Sequence, residues 1–146
     1  MLLIGTKNFA PQSVLTNGLV NLGAVYRRYC KKSCGVKTFD FSGSAISLQK
    51  SGIYQVTITA IISAPTAGDV TLTLFENGVA IPGALATETI TTATTEFRTI
   101  TIDYFILVDN DYVLNTPTTL AKSLTLVNTG IPSTINNVVA NVVKVL

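Results

Sequence analysis

The sequence predicts an all-β domain, a sandwich or barrel of about ten short strands. Three observations lead there. Branched Val, Ile and Thr dominate the composition, and these side chains suit a pleated, half-buried surface. Apolar and polar residues alternate with a period of two over long stretches, and no stretch shows convincing helical periodicity. Turn signals recur about every ten residues, and 146 residues suit a single domain.

The elements follow in order. Residues 1–19 lack strong periodicity and contain Pro11 and Asn17-Gly18, so they read as an extended arm. A first strand is expected at residues 20–29, a loop at 31–35, and short strands at 36–41 and 45–48 around Ser42-Gly43-Ser44. The strongest strand covers 53–62, with Tyr54, Val56, Ile58, Ala60 and Ile62 on one face and Gln55, Thr57 and Thr59 on the other. Residues 70–75 and 79–81 flank Asn77-Gly78, a pair suited to a two-residue hairpin turn because both positions need positive φ. Pro82-Gly83 marks a break. The Ala, Thr and Glu run at 84–95 reads as extended segment plus loop, its Thr density outweighing the helix preference of Ala and Glu. A long strand at 96–108, a turn at Asp109-Asn110-Asp111, a short strand at 112–114 and a loop at 115–119 follow. Strands at 122–128 and 135–146 close the domain. In the last, Val139, Val143 and Val145 alternate with Val138, Ala140 and Val142, so both faces are apolar and the outer one needs cover.

Composition excludes several chemistries. With no His, there is no Ser-His-Asp or Cys-His triad and no His-based zinc or iron site. Disorder is incompatible with 47% hydrophobic and only 12% charged residues. A small chain with mean hydropathy +0.47 has little polar surface to spare. It is therefore expected to hide apolar area in an oligomer. The apolar start, Met1-Leu2-Leu3-Ile4-Gly5, lacks the basic leader and cleavage site of a secretory signal. No run reaches the ~18–20 apolar residues of a membrane helix, so a soluble protein without membrane contact is expected.

Charge is uneven. Lys7, Arg27, Arg28, Lys31, Lys32 and Lys37 precede the first acid, Asp40, and the remaining residues are net acidic. The basic cluster at 27–37 is either a solvated loop tip or a docking surface for an acidic protein; nucleic acid is not expected, because no recognisable module surrounds Tyr26 and Tyr29. Within it, Cys30 and Cys34 are free thiols, a small-loop disulfide, or a metal pair at a symmetry axis. Asp109, Asn110 and Asp111 have oxygens suited to calcium, but also the composition of a plain turn. Asp40, Asp69, Glu76, Glu88, Glu96 and Asp103 offer carboxylates, yet nothing pairs any two across a cleft, and no enzyme is expected. Tyr26, Tyr29, Tyr54, Tyr104 and Tyr112 would either stack sugars or pack between strands.

Several of these features together resemble the C1q/tumour-necrosis-factor-like jelly roll. Gly52-Ile53-Tyr54 opens the long strand as that family's G-x-Y does. The run from Leu72 to Gly78 resembles its following hairpin, and the apolar last strand its axial strand. The run Asn77-Gly-Val-Ala-Ile-Pro-Gly-Ala84, the Ala/Thr/Glu segment and Thr134-Ile-Asn-Asn137 before a Val-rich end are similar to the C-terminal domains of collagen-like spore-surface glycoproteins and to related phage virion proteins. The resemblance covers about residues 20–146 and lacks a collagen stalk, which favours the virion members.

What it implies is a homotrimeric jelly roll decorating a phage capsid, without cofactor or metal. Val138, Val139, Ala140, Val142, Val143 and Val145 would form the trimer interface. Residues 1–19 would anchor the chain, and Arg27, Arg28, Lys31 and Lys32 would dock on the major capsid protein. A fibre-tip glycan-binding module and a spore-surface domain are the alternatives.

Overall fold

The structure, a computed structural model, describes residues 2–29, 38–113 and 116–146, with backbone alone for 110–113 and 116–119. Thirteen strands occur in chain order: β1 (Leu2–Asn8), β2 (Gln12–Val14), β3 (Ala24–Tyr29), β4 (Phe39–Phe41), β5 (Ala45–Leu48), β6 (Gly52–Ser63), β7 (Gly68–Glu76), β8 (Val79–Ile90), β9 (Arg98–Val108), β10 (Asn110–Val113), β11 (Thr116–Thr119), β12 (Lys122–Asn128) and β13 (Ser133–Lys144). Eleven of them form two antiparallel sheets. One runs β3-β1-β13-β6-β9, with β2 beside the start of β13, and the other β4-β5-β12-β7-β8. The remaining pair, β10 and β11, is a separate hairpin. Neighbours far apart in sequence, such as β1 against β13, give the crossing connections of a jelly roll.

Period-two alternation places the core between the sheets. On β6, Tyr54, Val56, Ile58, Ala60 and Ile62 are all buried, as the alternation predicts, and the facing layer is Ile46, Leu48, Leu72, Leu74, Leu124 and Leu126. The Tyr54 ring packs edge-on against Phe39, 5.8 Å between centroids, and its hydroxyl donates to the Lys50 carbonyl. Burial pushes that phenol up to about 12. Gly52, two residues earlier at φ 146°, lies directly under the chain end: any Cβ there would collide with the Leu146 carbonyl oxygen. The end is held by Ile53 N donating to Leu146 O, at 3.1 Å, and Val145 N donating to Ile53 O, at 2.8 Å. Gly52-Ile53-Tyr54 is thus one device: a glycine that admits the C-terminus and a tyrosine that fills the core beneath it.

Asn77 (φ 51°) and Gly78 (φ 80°) make the expected hairpin turn. Other expectations need correction. Residues 1–19 are not an arm outside the domain, because β1 is paired on both sides, with β13 and β3, and Ile4 is fully buried. After β2, residues 17–20 bond to β12 of the opposite sheet (Asn17 N to Asn128 O, 2.6 Å; Val20 N to Leu126 O, 2.9 Å). The segment therefore straps one end of the sandwich. Pro82-Gly83 does not end a strand: β8 continues through it, absorbing Gly83 at φ 82° and a register shift opposite Thr73 and Phe75. Of the residues expected as a turn at 109–111 and a loop at 115–119, Asn110 and Asp111 belong to β10 and Thr116–Thr119 is β11, paired with it as a hairpin.

At the strap, Asn128 is fully buried and holds the corner together. Its amide donates to the carbonyls of Val14 (3.1 Å) and Ile131 (2.8 Å), and its oxygen accepts from Gly130 N (3.0 Å).

Candidate interaction site

The six-stranded sheet has one face on the core and one facing out. Residues directly opposite on paired strands share a face, so the register arranges the outer side chains in rows. One row runs Tyr29, Leu3, Val143, Gln55, Phe105 from β3 to β9. Beyond it Ile53 lies opposite Leu107, with Val145 bonded to Ile53 alongside. On the other side comes Arg27, Gly5, Asn141, Thr57, Asp103, and then Ala24, Lys7, Val139, Thr59, Thr101. The face is therefore apolar toward the chain terminus and polar away from it.

Its apolar residues are unusually open. Phe105 is 60% and Leu107 55% exposed, on a strand whose alternate residues Ile106 and Val108 are in the core. Tyr29 at the opposite edge is 52% exposed. The strand's inner positions are filled, so these side chains cannot turn inward without flipping the register. The signal was present in the sequence: residues 104–108 are apolar on both faces, as the last strand is.

A second cluster lies on the β1–β3 side. Tyr26 lies over Gly5, where a Cβ would come within 2.8 Å of its ring, and donates from its hydroxyl to Asn141 Oδ1 at 2.8 Å. The aromatic covers the backbone that the glycine leaves bare. Lys7 Nζ sits 5.3 Å from the Phe9 ring and 5.5 Å from Tyr26, and the Arg27 guanidinium 5.8 Å from Tyr26. Across the sheet, Asp103 accepts from Gln55 Nε2 at 3.2 Å. The ion pairs among the described residues are Arg98–Glu96 and Lys122–Glu76, each 2.7 Å, so Lys7, Arg27 and Asp103 have no ion-pair partner among the described residues.

The residues expected at the trimer interface divide. Val138, Ala140 and Val142 are buried against the opposite sheet and cannot meet another subunit. Val139 and Val143 occupy the outer face of β13, half-buried, and Val145, 43% exposed, follows it. The reason is the period-two pleat, which gives only alternate residues to either side. Of the expected docking residues, Arg27 and Arg28 are exposed on β3. Lys31 and Lys32 lie outside the described residues, as do Cys30 and Cys34. The side chains of Asn110, Asp111 and Tyr112 also lie outside them.

The candidate carboxylates and tyrosines are dispersed. Glu96 closes the 91–96 loop, accepting from Thr91 N (2.5 Å), Thr92 N (2.9 Å) and Arg98 Nη2 (2.7 Å). Those donors hold its carboxyl down at about 2. Glu76 pairs with Lys122, Asp69 accepts from Thr89, and no group of metal-ligating side chains occurs among the described residues. Tyr54 is in the core and Tyr104 donates to the Pro82 carbonyl, which leaves Tyr26 and Tyr29 on the outer face. No helix of the described residues is long and apolar enough to cross a membrane.

No family model matches the sequence, and no curated protein does either. Solved structures do match the fold. The globular domain of zebrafish complement 1qA aligns at TM-score 0.63 and 6% identity, covering 100% of this chain and 98% of that one. Murine APRIL aligns at TM-score 0.61 and 9% identity, covering 97% of each. The Eiger TNF of S. frugiperda aligns at TM-score 0.55 and 12% identity, covering 100% and 94%. With these matches running along the whole chain and its strands arranged in two packed antiparallel sheets, this protein has the C1q/TNF-like jelly-roll fold.

Proposed function

We propose that the chain is a non-catalytic structural subunit that assembles as a homotrimer through the outer face of its six-stranded sheet and decorates a phage capsid. The observation that carries the oligomer is the open apolar patch of Phe105 and Leu107 on β9, on a face whose neighbours Leu3, Val143 and Ile53 extend it. Burying such a patch yields roughly 25 cal/mol per Å² and needs no change in the protomer. A closed ring of three covers the patch on every copy.

The virion assignment rests on the resemblance of Asn77–Ala84, Thr134–Asn137 and the Val-rich end to motifs of phage virion proteins. With β1 inside the sheet, contact with the major capsid protein falls to the basic segment at Arg28, Lys31 and Lys32. Purified chain is expected to bind isolated shells at fixed stoichiometry and to ignore intact host cells. Binding to cells or to a glycan array, with none to shells, would replace this reading with that of a fibre tip.

A further inference from the structure

The outer face is matched at its two edges. On the β9 edge, apolar Phe105 is followed two residues away by acidic Asp103; on the β3 edge, apolar Tyr29 is followed two residues away by basic Arg27. Register places Phe105 and Tyr29 in one row and Asp103 and Arg27 in the next, with Lys7 one row further. Two residues along a strand span ~6.8 Å, so the apolar-to-charge spacing is the same on both edges. A rotation axis parallel to the strands keeps every row at its own height. Bringing one copy's β9 edge to the next copy's β1–β3 edge then seats Phe105 near Leu3 and Tyr29 while opposite charges meet one row away.

The geometry points to a second copy of this chain as the occupant, placed head to tail, with Asp103 of one copy paired to Lys7 and Arg27 of the next. This rests on the oligomer reading above and adds its polarity and register. A foreign partner would have to reproduce both spacings, whereas a second copy carries them already. Arg27 then belongs to the contact between copies, and only Arg28, Lys31 and Lys32 remain for the shell.

Charge reversal tests it. Asp103→Lys, on an exposed site, is expected to weaken association about tenfold or more by sedimentation equilibrium, with circular dichroism unchanged. Lys7→Glu with Arg27→Glu is expected to do the same, and the triple variant to recover to within about threefold of wild type. If Lys7→Glu, beside Phe9 and Tyr26, fails to fold, Arg27→Glu with Asp103→Lys makes the same comparison. An oligomeric wild type whose association is indifferent to Asp103→Lys, or not rescued by the combined reversal, overturns the pairing and leaves the oligomer standing. A monomeric wild type overturns both.

Discussion

Single side chains set several local outcomes. Gly52 is the sharpest, because the Leu146 carbonyl occupies the space a Cβ would take. Gly52→Ala is expected to cost more than about 2 kcal/mol in denaturant unfolding, as a clash at φ 146° has no relaxed alternative. Thr6 works in the opposite direction: its Oγ1 is buried with no hydrogen-bond partner among the described residues. Thr6→Val keeps the shape and removes the unsatisfied hydroxyl, so a gain of about 1 kcal/mol is expected by the same measurement. Glu96 adds a pH dependence. Its carboxyl, depressed in the folded protein from 4.5 to about 2, stabilises the fold above pH 4.5 and loses that contribution as pH falls toward 2. The melting temperature of Glu96→Gln should lie below wild type at neutral pH and converge with it near pH 2.

At the level of elements, the sandwich is held by pairings between distant parts of the chain, and β1 is the clearest case. It pairs with β13 over its full length and with β3 from Leu3 to Lys7, and Ile4 enters the core. Deleting residues 1–8 is expected to abolish cooperative thermal unfolding; a well-folded deletion product would restore the free-arm picture. The difference between this strand and the arm expected from sequence has a physical source. Leu2, Leu3 and Ile4 are followed by Gly5, Thr6 and Lys7, a run without alternation, because its outer face is covered by Tyr26 over Gly5. Long-range cover of that kind leaves no periodic trace. By contrast, β6 was readable residue by residue, since its two faces meet different media. The sequence of the last strand is apolar on both faces, but which valines point outward depends on the pleat and register. Three of the six assigned to the interface lie in the core. Phe105 and Leu107 obey the same two-faced pattern, and Asp103 carries no local signal, since the basic residues proposed to meet it stand on the opposite edge, distant in sequence.

On the scale of the whole molecule, the proposed assembly would reconcile a low charge with a high hydropathy by hiding one face. Val143 and Val142 separate the two roles of β13. Val143→Asp, on the outer face, is expected to release folded protomers or yield aggregates, while Val142→Asp, in the core, should prevent folding. Circular dichroism with size-exclusion chromatography distinguishes them, and equal behaviour of the two variants would deny the outer face a special role. The most direct measurement is sedimentation equilibrium of the unmodified chain at micromolar concentration. The expected result is one species of three times 15.5 kDa. A folded species of 15.5 kDa at the same concentration would contradict it.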